Sequence, residues 1–211
     1  MSTTDTAPAE GPTATRPIGR PRQFDGDDVL ATVVELFWEQ GYAATSIGDV
    51  VARTGLSKSS LYGAFGSKEE LFRRALESYL GDHRTMIEAM VADGPKGLAA
   101  IDAFFDRVGA QAGGPEAANG CFIVNTSAEL GTMEPSVVEC GAEHRAILRA
   151  GFTTALEGAV DVGEFPADRV APTANVLVTL ALGLAVMIRG GATAEEALLH
   201  VEAAKATLRI G

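Results

Sequence analysis

From Thr54 to Leu71 the chain reads "TGLSKSSLYGAFGSKEEL". A glycine turn is followed by a run of hydroxyls with one lysine and one tyrosine. A second serine then precedes a glutamate by three residues. Ser57 stands where a helix cap belongs, so "KSSLYGAF" reads as a short helix, and Ser67 with Glu70 is the capping-box pattern that opens another. On the short helix Leu61 and Phe65 lie four apart and face inward, with Val50 and Leu56 available to pack on them. Lys58, Ser59, Ser60, Tyr62 and Gly63 are left on the outer face and at the N-terminus. There the free N–H groups and partial positive charge suit a phosphate. Gly63 and Ala64 keep this surface low. Lys68 sits in a first turn, where a cation opposes the helix dipole, and a phosphate is its simplest expected partner. A solvated face of short polar residues is the plain alternative for such a run.

The chain of 211 residues carries a formal charge of −11, and 46% of it is apolar. That is enough for a sizeable core, and nothing in it suggests a wholly disordered chain. The acidity is uneven. Residues 1–80 hold 8 Lys/Arg against 11 Asp/Glu, a balance of −3, whereas residues 81–211 hold 9 against 17, a balance of −8. Charge alone gives no support for nucleic-acid binding, so local pattern has to make that case. The longest apolar run, Asn175 to Ile188, is shorter than the ~18 residues of a membrane span, and no secretory leader is read at the N-terminus. Two cysteines, Cys121 and Cys140, are too few for a disulfide framework. The expectation is a cytoplasmic protein with reduced thiols and no membrane partner.

Residues 1–19, rich in Thr, Ala and Pro, read as a disordered arm that turns basic at Arg16, Arg20 and Arg22. Helical spacing begins near Asp25 with Val29, Val33, Leu36 and Phe37, and Gly41 closes that helix. Thr45 or Ser46 caps a short helix carrying Ile47, Val50 and Val51, which Thr54-Gly55 stops. Two short helices joined by a tight glycine turn make a helix-turn-helix layout. Beyond residue 80 no strand-like alternation is read, and Pro and Gly punctuate Ala-rich helices near 70–92, 96–111, 120–131, 136–160, 167–189 and 193–209. The fold class is all-α. The division expected is an arm over 1–19, a helix-turn-helix domain over 20–80 with its motif at about 46–65, and a larger helical domain over 81–211.

The stretch 24–76, with "ELFWEQGYAATSI" and "VVARTGLSKSSLYGAFGSKEELF", resembles the DNA-binding domain of TetR-family transcriptional regulators. "GCFIVNTSAELG", 120–131, is similar to one subgroup of that family. The resemblance implies an all-α homodimer that places a recognition helix from each subunit in the major groove of a palindromic double-stranded operator. It makes 47–54 and 58–64 the two helices of the motif, the second being the reader. Phosphate contacts then fall to Thr45, Ser46, the backbone of Ile47, Ser57, Tyr62 and Lys68, and base contacts to Lys58, Ser59, Ser60 and Gly63. Gly63 departs from the larger residues often found at its position. Arg20 and Arg22 are expected to enter a minor groove or track the backbone. The acidic remainder, lying away from DNA, would weaken indiscriminate binding to polyanions.

The resemblance also implies that 81–211 binds a small-molecule effector and dimerises, with repression relieved by the ligand. The last two long helices are the dimerisation candidates, through a stripe of Val176, Leu180, Gly183, Leu184 and Met187 that core packing explains equally well. Cavity candidates are Met86, Met90, Phe104, Phe105, Phe122, Asn125, Met133 and Phe152. Asn125 is the least ordinary of these, because an amide inside an apolar run needs a partner. Cys140 and His144, four apart, could share a metal with Cys121, Met133 or His83, or the cysteines could sense redox state. No cofactor is expected. An enzyme is the rival from another class, but the phosphate-binding glycine loop, G-x-S-x-G, HExxH and paired-cysteine motifs are all absent from the sequence. A helical domain that only binds other proteins is the second rival.

Overall fold

The computed structural model describes residues 25–112 and 119–209. Nine α-helices, and no strand, occur among the described residues. They are α1 (Gly26–Gln40), α2 (Ile47–Thr54), α3 (Lys58–Phe65), α4 (Lys68–Asp93), α5 (Leu98–Gln111), α6 (Phe122–Leu130), α7 (Pro135–Asp161), α8 (Val170–Arg189) and α9 (Ala194–Leu208). Arg20 and Arg22 lie outside the described residues.

Helix ends follow from local chemistry. Asp25 caps α1, accepting from the Asp27 N–H at 3.0 Å. Ser46, rather than Thr45, caps α2, and with Asp49 forms a reciprocal capping box, as Ser67 does with Glu70 at α4. Ser57 caps α3, accepting from the Ser60 N–H at 3.1 Å. Gly41 (φ +83°) and Gly55 (φ +69°) turn the chain out of α1 and α2 through the left-handed region that glycine enters without strain. Ala167–Arg169 forms a single 3₁₀ turn, so α8 starts three residues later than its spacing suggests.

Beside a small second cluster of Ala112, Ile188 and Ala197, the main core draws on residues from α1 to α9. In its N-terminal part Val33, Leu36, Phe37, Val50, Leu61, Phe65, Leu71 and Phe72 are buried together, with Phe37 and Phe72 meeting edge to face at 4.9 Å. Leu61 and Phe65 thus face inward as their spacing predicts. The long helix α4 continues past residue 80 and packs on α7, which in turn packs on α8. The helical segment Ala167–Arg189 is long and apolar enough by composition to cross a membrane, although its central apolar run, Asn175 to Ile188, is shorter than such a span. In the fold it is a packing helix, burying Ala174, Leu177, Val178, Ala181, Leu184 and Ile188.

A candidate nucleic-acid interface and a ligand cavity

Helix α3 presents its outer face to solvent. Ser57, Lys58, Ser59, Ser60, Tyr62, Gly63 and Ala64 are all exposed. Its hydroxyls are knitted together, Ser57 Oγ lying 3.0 Å from Ser59 Oγ and 2.8 Å from Ser60 Oγ. Lys58 Nζ stands 5.9 Å from the centre of the Tyr62 ring, so the cation and the aromatic form one surface feature. A Cβ built on Gly63 meets nothing within 4 Å, which leaves that point of the face open.

Of the residues read from the sequence as phosphate contacts, Thr45, Ser46 and Lys68 have partners within the protein, as Ser57 does. The Thr45 side chain is buried and its hydroxyl donates to the Gly41 carbonyl at 2.6 Å. It ties the turn together and does not face solvent, which corrects its assignment as a side-chain donor. The Ser46 hydroxyl donates to Asp49 Oδ2 at 2.7 Å while accepting from the Asp49 N–H, and that hydroxyl leads the contacts that hold the Asp49 carboxyl below its ordinary range. Lys68 Nζ donates to the Tyr42 carbonyl at 2.7 Å and lies 4.1 Å from the Tyr42 ring centre. A cation in this first turn therefore has an intramolecular reason. An ammonium has three N–H donors, so this leaves capacity for a phosphate.

A cavity of about 670 Å³ lies between α1, α4, α5, α6, α7 and α8. That volume is in the range of drug-sized ligand sites. Trp38 from α1, Tyr79 and His83 from α4, Phe104 from α5, Cys121 at the start of α6 and His144 from α7 are among its lining. Trp38 and Tyr79 meet edge to face at 5.4 Å, and His83 and His144 at 4.7 Å. Burial, with Arg107 adding to it, pushes His83 down to about 4; burial, then His83 and Arg145, pushes His144 down to about 3. Both imidazoles are neutral at physiological pH.

Of the cavity residues expected from the sequence, Met86 and Phe104 line it. Phe105, Phe122 and Phe152 are ordinary core, with neighbours filling the space around them. Met90 packs against that core from the side, and Met133 is 72% exposed on the surface. Asn125 finds its partner within the chain, donating to the Asn119 carbonyl at 2.5 Å, where Trp38 Nε1 also donates at 3.0 Å. Trp38, Tyr79 and the convergence of His83 with His144 escaped the sequence reading as cavity features. A signal was present. Ala31, Val34, Glu35 and Trp38 follow i, i+3, i+4, i+7 and form a second stripe on α1, beside the one that fills the core.

The metal and redox alternatives gain nothing from the geometry. His144 faces His83, but no group of three or more His, Cys, Asp or Glu among the described residues is placed to hold a metal ion. Burial pushes the Cys121 thiol up, and burial with Glu143 nearby pushes Cys140 up to about 11, the opposite of what an activated thiolate needs.

Comparison with known proteins agrees with this architecture. The model for bacterial regulatory proteins of the tetR family matches residues 29–75, and that for the tetracyclin repressor-like C-terminal domain matches 97–201. An uncharacterized HTH-type transcriptional regulator of Bacillus subtilis, YezE, is 34% identical over 148 residues, 70% of this chain and 76% of the relative. The chain belongs to the TetR family. It is a DNA-binding transcriptional regulator. The HTH-type transcriptional repressor ComR of Escherichia coli is 29% identical over 194 residues, 91% of each chain. Among solved structures, a cysteine-substituted form of the regulator CifR, complexed with a 26-bp operator duplex, superposes with TM-score 0.79 at 27% identity, over 90% of this chain and all of that one.

Proposed function

We propose that this regulator is a cytoplasmic homodimeric repressor that leaves a palindromic operator when a small molecule occupies the cavity. The observation that carries the reading is the double use of α1. One face, Val33, Leu36 and Phe37, belongs to the core on which α2 and α3 rest, and the other, Ala31, Val34 and Trp38, is cavity wall. A ligand that fits better when α1 shifts would therefore bias the placement of the reading helix, which is all that allosteric release requires.

On DNA, α3 would lie in the major groove with Lys58, Ser59, Ser60 and Gly63 toward base edges and Tyr62 on the backbone. Ser46, Ser57 and Lys68 would share their polar groups between their intramolecular partners and phosphate. The dimer would form through α8 and α9, whose surfaces leave Val176 (54%), Val186 (56%) and Leu199 (67%) exposed. Apolar residues so exposed on two long helices suit a partner helix pair. Sequence similarity to the repressor ComR favours repression over activation.

The test is fluorescence-anisotropy titration of the full chain onto DNA from upstream of its own gene, beside a scrambled duplex, at low and high salt. Selective binding that weakens with salt, and that weakens in Tyr62→Ala on both duplexes alike, supports the reading. Equal binding to both duplexes contradicts it.

A further inference from the structure

Two imidazoles that line the cavity, those of His83 and His144, each carry a buried nitrogen that no group among the described residues bonds. These nitrogens are His83 Nδ1 and His144 Nε2. Buried polar nitrogens are nearly always paired, because the loss of water otherwise goes uncompensated. Here two lie on adjacent rings that both line the cavity, one from α4 and one from α7. A neutral imidazole carries one donor and one acceptor nitrogen, so the pair could serve a hydroxyl or a carbonyl equally well.

The surroundings define the rest of the ligand. Trp38, Tyr79 and Phe104 offer flat apolar surfaces, and Met86 and Leu148 fill in between them. The charged lining residues Glu35, Asp82 and Arg107 are all exposed, which places them at the rim, where water screens them. Deeper in, burial holds His83, His144 and Cys121 in their uncharged forms. A charged group on a ligand would meet the same desolvation, and no carboxylate, ammonium or guanidinium among the described residues is buried to offset it.

Resting on the effector reading above, we infer that the effector is an uncharged, largely aromatic molecule with one hydroxyl or carbonyl, read by the His83–His144 pair while Trp38, Tyr79 and Phe104 enclose its rings. Four probes of one skeleton test this: 2-naphthol, naphthalene, 2-naphthoate and 2-naphthylmethylammonium, each titrated calorimetrically into the full chain near neutral pH. The expected result is 2-naphthol binding about ten-fold more tightly than naphthalene and than either ion. In the His83→Phe, His144→Phe double variant 2-naphthol should fall to the affinity of naphthalene. Unchanged naphthalene binding there shows that the cavity is intact. Either ion binding as tightly as 2-naphthol, saturation by none of the four, or a preference that survives the double variant would overturn the inference. Failure of the effector reading looks different: 2-naphthol would bind as described and leave operator affinity unchanged.

Discussion

Glu129 on α6 grips the turn at Tyr42 from the far side of the chain: its carboxylate accepts from the Tyr42 N–H at 3.0 Å and from the Ala43 N–H at 2.8 Å. The acceptor is charged, and both donors are backbone groups that would otherwise face solvent, so these are among the stronger bonds available to a surface turn. Helix α6 also supplies Val124 to the cavity wall. One short helix thus touches both the cavity and the turn that leads into the helix-turn-helix. Glu129→Ala is expected to raise amide exchange at Tyr42 and Ala43 by about ten-fold, read by native-state hydrogen exchange. Unchanged protection would mean that the carboxylate does not hold the turn.

Gly41 adjoins the same contact. Its φ of +83° strains any other residue, and a Cβ there would come within 2.8 Å of Glu129 Oε2. Gly41→Ala should therefore destabilise by about 1–2 kcal/mol, from backbone strain and displacement of the carboxylate. Urea unfolding measures this, and a neutral substitution would contradict it.

Lys68 should matter before any DNA is present. Its ammonium bonds the Tyr42 carbonyl and covers the Tyr42 ring. Lys68→Met, similar in length but uncharged, should lower unfolding stability by about 1 kcal/mol. A variant with full stability but weakened DNA binding would assign the lysine to phosphate alone.

Exposed residues of α3 should separate into two behaviours on DNA. Tyr62→Ala should weaken binding to every duplex alike, whereas Lys58→Ala should cost about 1–3 kcal/mol on the operator and relax the preference at one base pair. Comparing the two variants on single-base operator mutants distinguishes a base contact from a backbone contact. Uniform weakening by both would place Lys58 on the phosphates.

The histidine pair predicts a pH dependence. In the unfolded chain both side chains titrate near 6.5, but folded they titrate at about 4 and about 3. Between those values the unfolded state binds more protons, so the stability they contribute is fully present above about pH 6.5 and is lost as pH falls toward 4. The unfolding midpoint should drop between neutral pH and about pH 5, and the His83→Phe, His144→Phe variant should show a shallower drop. Parallel curves for the two proteins would contradict the assignment.

Periodicity and caps carried most of the fold. Leu61 and Phe65 face the core, Gly41 and Gly55 end their helices, and Ser57 and Ser67 cap as their positions in the sequence suggest. Such features are local, set within one or two helical turns. The cavity is different, because it depends on how six helices fail to fill the space between them. Spacing marks Phe105, Phe122 and Phe152 as inward but cannot say that neighbours close over them, or that Phe104 next door borders open space. Thr45 and Lys68 show the same limit. A hydroxyl or an ammonium beside a reading helix suits phosphate by type, yet Gly41 and Tyr42 are brought to these two groups by the fold.

The central claim, that α3 of a symmetric dimer reads DNA, is tested most directly by selecting bound sequences from a random duplex library with the purified full chain. The account predicts enrichment of one motif made of two inverted half-sites, lost from the selection when Tyr62 and Lys58 are both replaced by alanine. A selection that enriches nothing, or a single asymmetric site untouched by those substitutions, would contradict it.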